Sequence, residues 1–167
     1  MTDIIFGTSG HRGIIGQSFT MEHLRAILLA INAYFSFKNI ESPRVLIGYD
    51  TRTGNSPSLD ENSYTHCAIS ELTRCKITVD FCDSYTATPI LSWAVRHHDY
   101  DLGIILTASH NPPNYNGIKI NDANGAPANP DMTSWIQDKA NELFPNIDVS
   151  PPYKTLKKFQ SVNYNQA

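Results

Sequence analysis

The segment from Asp101 to Asn121, DLGIILTASHNPPNYNGIKIN, decides how the chain folds. Leu102 to Leu106 is an unbroken apolar run, the pattern of a short strand buried on both faces of a parallel sheet. It stops abruptly at Thr107-Ala108-Ser109-His110-Asn111-Pro112-Pro113, which is turn chemistry with a hydroxyl at its tip. Gly117 to Asn121 then alternates in polarity, which predicts a return strand carrying Lys119 beside the turn. A serine at the carboxyl end of a buried strand lies where open α/β sheets place their chemistry.

Working outward, the chain alternates strands with helices. Ile4 to Gly16 holds four glycines and reads as an irregular hairpin, with Arg12 inside it. Taken alone, Arg12 reads as a solvated surface charge. Thr20 has the look of an N-cap, and Leu24, Ile27, Leu28, Ile31 and Phe35 recur at helical spacing to about Phe37. Val45-Leu46-Ile47 predicts a buried strand ending at Tyr49-Asp50, followed by a polar loop to Pro57. In that loop Thr51 and Arg52 suit phosphate contacts, and Asp50 with Arg52 equally suits a local ion pair. Ser58 with Glu61 spells a capping box for a helix running to about Arg74. Ile77 to Phe81 reads as a strand. Thr88 is expected to cap and Pro89 to open a third helix, and Asn129 to cap and Pro130 to open a fourth that carries Met132, Trp135, Ile136, Lys139, Ala140 and Leu143. Pro145 and Pro151-Pro152 are read as the end of regular structure. Residues 1–145 then form one domain, and 146–167 a linker or C-terminal tail. The β-α-β order predicts an α/β fold, a three-layer α/β/α sandwich around a mixed, mostly parallel sheet.

Composition narrows the function. The 167 residues suffice for one domain with a full core, and 41% hydrophobic with 17% charged residues is ordinary for a globular chain. A net charge of -3 and the lack of a basic run argue against a nucleic-acid partner. No apolar stretch approaches the roughly 20 residues that span a bilayer, and the amino terminus lacks a signal pattern, so a cytoplasmic protein with no membrane partner is expected. The three cysteines form no CxxC pair and are read as reduced thiols.

Three motifs in order carry a resemblance. Thr107-Ala108-Ser109-His110-Asn111-Pro112 with Asn116-Gly117-Ile118-Lys119 resembles the phosphoserine loop of the α-D-phosphohexomutases. Phe6-Gly7-Thr8-Ser9-Gly10-His11-Arg12-Gly13 is similar to that family's opening motif, and Gly48-Tyr49-Asp50-Thr51-Arg52 to its first strand ending. His11, Pro112-Pro113 and Asn124 to Ala128 lean toward the glucose-phosphate branch found in bacteria. The resemblance implies the first of four domains in an intramolecular phosphotransferase that interconverts glucose 1-phosphate and glucose 6-phosphate through a bisphosphorylated sugar. It implies Ser109 as phosphoserine, Lys119 in acid-base work or charge neutralisation, Arg12 as an active-site cation and His110 in support. Thr8, Ser9, Arg52 and Asn111 become candidates for binding phosphate or substrate. The implied cofactors are Mg²⁺, held through the Ser109 phosphate, and glucose 1,6-bisphosphate as activator.

The family's Asp-Gly-Asp-Gly-Asp metal loop, its sugar-specificity loop and its Arg-x-Ser-Gly-Thr motif do not occur in these residues. The expected partners are therefore a hexose phosphate together with a polypeptide that supplies the missing parts, or self-association through exposed domain faces. Turnover by these residues alone is not expected. The alternative reading is a truncated non-catalytic remnant, or a module that binds a sugar phosphate or partner. A serine hydrolase built on Ser109 and His110 lacks the G-x-S-x-G elbow, and chain neighbours seldom make a nucleophile-base pair.

Overall fold

A computed structural model describes residues 3–8, 10–148 and 160–164. Its strands are β1 (Gly10–Ile14), β2 (Arg44–Tyr49), β3 (Thr78–Cys82), β4 (Leu102–Leu106), β5 (Tyr115–Asp122) and β6 (Gln160–Val162). Its helices are α1 (Met21–Phe37), α2 (Tyr64–Arg74), α3 (Thr88–His97) and α4 (Pro130–Leu143). The strands form one sheet in the order β1-β5-β4-β2-β3-β6. β4, β2, β3 and β6 pair in parallel, whereas β5 runs antiparallel to both β4 and β1. The sheet is thus mixed and mostly parallel, with β5 as the one reversed strand among the described residues.

The apolar pattern of each strand settles the layers. Leu102, Ile104 and Leu106 of β4 join a large core under α1, α2 and α4, while Ile105 faces a smaller one under α3. That is why the run between Leu102 and Leu106 contains no polar residue: both faces of β4 are covered. The smaller core unites Leu46, Ile105, Leu91, Ala94, Val95 and Tyr100. Gly103 lets α3 seat closely, since a Cβ there would lie 2.6 Å from Val95 Cγ2 and 3.1 Å from Leu91 Cδ2. The result is the expected α/β/α sandwich, with α1, α2 and α4 on one face and α3 on the other among the described residues.

Local chemistry fixes the helix starts. Thr20 Oγ1 accepts from the His23 N–H, and the His23 ring accepts in return from the Thr20 N–H, a capping box with histidine in the place of Glu or Gln. The cap of α2 lies five residues after the expected one: Ser63, not Ser58, accepts from the His66 N–H. The intervening residues are held in turns by Ser56 Oγ–H on Asp60 Oδ2 (2.6 Å) and by a left-handed Leu59 at φ 54°. In α3, Thr88 is the first helical residue rather than the cap. Asn129 caps α4 as expected.

Of the expected linker or tail, residues 149–159 and 165–167 lie outside the described residues, and the described parts carry regular structure. Phe144–Asn146 makes a short 3-10 turn, and β6 adds a strand along the edge of β3. Val162 and Tyr164 pack against the core beneath α3, which gives this polar segment its anchor. All three thiols are free, and burial foremost pushes the Cys67 thiol up to about 12, the behaviour of an inert core cysteine.

Leu91 is fully buried and, with Ala94 and Val95, carries α3 into the smaller core. Leu91→Ala is expected to destabilise the fold by about 3 kcal/mol. Urea unfolding of the variant against the parent chain measures this, and a loss below about 1 kcal/mol would show that α3 does not depend on that contact.

Candidate functional site

The site forms where the sheet's two faces are covered unequally. Residues paired across β1 and β5 share a face, so Gly10, Arg12, Tyr115, Gly117 and Lys119 lie on one side, with His11, Ile118 and Ile120 on the other. Lys119 is also opposite Ile105, which places it on the face that carries α3. Because α3 packs chiefly over β2 and β4, the β1–β5 end of that face has no helix of the described residues over it. Arg12 and Lys119 are half-buried there.

The Ser109 loop rises at this end of β4. Ser109 and His110 are exposed, and Ser109 adopts a left-handed φ of 58°, a conformation that costs a non-glycine residue energy and persists only where its surroundings fix it. The Ser109 N–H donates to Thr107 Oγ1 (2.9 Å), and the Thr107 hydroxyl donates to Asp50 Oδ2. Asn55 Nδ2 donates to the Leu106 carbonyl (3.0 Å), and Asn55 Oδ1 accepts from Asn116 Nδ2 (3.1 Å). These bonds tie the end of β2, the end of β4 and the start of β5 together. Gly117 completes the join, because a Cβ there would meet His11 O at 2.5 Å and Thr107 O at 2.9 Å.

The residues singled out in the sequence fall into distinct places. Arg12 reaches Asn111 Oδ1 at 3.5 Å, and with Thr8, Gly7, Gly10 and Tyr115 it lines an open concavity of about 450 Å³. A second hollow of about 330 Å³, on the Thr51–Thr53 side, includes Ser109 and shares Asn111 as a wall. His110 Nδ1 stands 3.4 Å from Ser109 Oγ. Ser9 lies outside the described residues. Arg52, a phosphate-binding candidate, has its terminal nitrogens turned onto four backbone carbonyls of the Ser109 loop. Sequence reading missed Thr107, Asn55 and Asn116, whose parts depend on which loops meet. It also missed the anchoring of His11, whose Nε2–H donates to Ser18 O at 2.8 Å while its ring stacks on His23.

Electrostatics single out Lys119. Its pKa is lowered, first by burial and then by the Arg12 guanidinium, with Asp50 pulling the other way. An ammonium poised in this manner gives up its proton more readily than a solvated lysine. Asp50, the carboxylate beside the loop, is already engaged by the Arg52 and Asn55 side chains and the Arg52 N–H. Among the described residues no group of three or more His, Cys, Asp or Glu is placed to hold a metal ion. The protein groups beside Ser109 therefore do not amount to a Mg²⁺ site by themselves, since that ion seeks near-octahedral oxygen ligands. No described helix is long and apolar enough to cross a membrane.

The fold thus displays a serine at the carboxyl end of a buried parallel strand, with two cationic side chains on the adjoining open face. Residues 3–146 match the model of the phosphoglucomutase/phosphomannomutase alpha/beta/alpha domain I, and the chain belongs to that family. It is 36% identical over 159 residues to the phosphoglucomutase of Staphylococcus haemolyticus, covering 89% of this chain and 27% of the relative. It is 35% identical over 146 residues to that of Komagataeibacter xylinus, covering 83% of this chain and 25% of the relative. A crystal structure of a Thermus thermophilus protein assigned as a phosphomannomutase superposes with a TM-score of 0.79 at 28% identity, over 97% of this chain and 33% of the other. The chain thus spans about a quarter of the length of these curated relatives.

The balance of charge around Lys119 gives a signed prediction. Arg12→Ala removes a lowering influence and is expected to raise the Lys119 pKa, whereas Asp50→Asn removes a raising one and is expected to lower it further. NMR titration of the Lys119 side chain reads both, and shifts of the same sign would contradict this arrangement.

Proposed function

We propose that this chain is the phosphoserine-bearing domain of a phosphohexomutase, with glucose 1-phosphate and glucose 6-phosphate as the interconverted pair. The observation that carries this reading is the presentation of Ser109 in a fixed left-handed turn beside the face that holds Arg12 and Lys119. In the first half-reaction a sugar hydroxyl attacks the phosphorus of phospho-Ser109. A new O–P bond forms as the Oγ–P bond breaks, and the sugar becomes bisphosphorylated. The hydroxyl's proton leaves to a base, and the serine oxygen ends with a proton. Transfer of the other phosphate back to Ser109 then releases the isomer.

Phosphoryl transfer asks the protein mainly for position and charge. Lys119, its pKa lowered by burial and by Arg12, suits the proton-handling role. Arg12, with Thr8 and Asn111 around the same concavity, suits a phosphate of the sugar. His110 at 3.4 Å from Ser109 Oγ is close enough for a supporting contact. The phosphate on Ser109 would supply one oxygen to Mg²⁺, which when bound would offset its charge, with the carboxylate ligands coming from outside this chain. The preference for glucose rests on the phosphoglucomutases among the relatives and on the motifs His11, Pro112-Pro113 and Asn124 to Ala128.

The reading places the chain in the cytoplasm, where hexose phosphates are held, and gives it a polypeptide partner or segment that closes the site. Ile5, 67% exposed on the rim of the Arg12 concavity, is an apolar contact suited to such closure. The test is complementation. Mixed with a phosphoglucomutase lacking its own first domain, the chain is expected to restore conversion of glucose 1-phosphate to glucose 6-phosphate, and its Ser109→Ala variant to restore none. Binding of the truncated enzyme without any conversion would favour a partner-binding module instead.

A further inference from the structure

We propose that Arg52 is a positioning residue, a clamp that fixes the backbone of the Ser109 loop, and not a ligand for the substrate's phosphate. Its Nη1 donates to the carbonyls of Pro112 (2.8 Å) and Tyr115 (3.0 Å). Its Nη2 donates to those of Ser109 (2.7 Å) and Asn111 (2.8 Å). Its Nε faces Asp50 Oδ2 at 3.4 Å. A guanidinium has five N–H groups in a rigid fork. Here four meet carbonyl oxygens and the fifth faces a carboxylate, so a phosphate could be bound only by letting the loop go.

The clamp acts on the residue that matters most. Both peptide groups flanking the Ser109 Cα are held: its N–H by Thr107 Oγ1, and its C=O by Arg52. Thr107 is held in turn by Asp50, the same carboxylate that faces Arg52 Nε. Asp50 and Arg52 therefore fix Ser109 from its two sides, which accounts for the left-handed φ of 58° at a residue other than glycine. The side chain of Arg52 is only 12% exposed, as befits a group packed under the loop. Lysine cannot replace it, because one ammonium cannot reach four carbonyls spread over residues 109–115.

The consequence for activity rests on the phosphoserine reading above, but the consequence for the loop does not. Arg52→Lys and Arg52→Ala are compared with the parent for amide exchange at Ser109 and Asn111, for exchange in β4, and for phosphoryl uptake at Ser109 from glucose 1,6-bisphosphate, the uptake being measured with a phosphoglucomutase lacking its own first domain present to complete the site. Both variants are expected to keep the protection of β4, to lose about tenfold or more of the protection at Ser109 and Asn111, and to take up phosphoryl groups about 100-fold more slowly. Millimolar guanidinium ion is expected to restore protection and uptake in Arg52→Ala, and methylammonium is not. Unchanged loop protection in Arg52→Ala, or full uptake by Arg52→Lys, would overturn the clamp.

The parent chain offers a check that survives misfolding of the variants. Inorganic phosphate is expected to shift the guanidinium NMR signals of Arg12 and leave those of Arg52 in place; a matching shift at Arg52 would make it a phosphate ligand. If the parent takes up no phosphoryl group, the proposed function fails, and the clamp is then judged by loop protection alone.

Discussion

A loop at the end of a buried strand must find partners for backbone groups that the sheet no longer serves. Between β4 and β5 the carbonyls of residues 109, 111, 112 and 115 converge, and one guanidinium satisfies all four. Hydrogen bonds to a charged group contribute roughly 1.5–3 kcal/mol each, enough together to hold a single left-handed residue that costs about 1–3 kcal/mol. The shape of the loop follows from that exchange, and so does the exposure of Ser109. Two prolines stiffen the same turn at Pro112-Pro113, so little of its geometry is left to chance.

The unequal covering of the sheet explains why the chemistry gathers where it does. Among the described helices α1, α2 and α4 bury one face, while α3 alone serves the other. Reversal of β5 brings its alternating side chains to the margin of that thin layer. Ile118 and Ile120 enter the large core, and Lys119 between them turns to the open side with Arg12 from β1. Partial burial then lowers the lysine's pKa without isolating it from solvent. The scaffold and the electrostatics are thus two results of one packing arrangement.

Much of this could be read from the chain. The uninterrupted Leu102–Leu106 run announces a strand covered on both faces, and the polarity of residues 117–121 assigns Lys119 to the face opposite its isoleucines. Thr20 and Asn129 sit at helix starts with the side chains that capping requires. The pairing of β1 with β5 was not legible, because partners far apart in sequence leave no local pattern. For α2 the choice between Ser58 and Ser63 turned on a left-handed Leu59, which nothing in its side chain advertises. β6 was hidden in polar residues, since its place depends on the open edge of β3. Arg52 shows the limit most clearly: an ion pair with Asp50 and a phosphate contact are equally natural readings of the sequence, and only the path of the loop reveals four carbonyls in reach.

The central claim is that Ser109 is built to carry a phosphoryl group. Its most direct test is intact mass with phosphosite mapping, on the chain purified from its own cells and again after incubation with glucose 1,6-bisphosphate and a phosphoglucomutase lacking its own first domain. The account predicts one phosphoryl group, on Ser109 and absent from Ser109→Ala. A serine that stays unmodified under both conditions would contradict it.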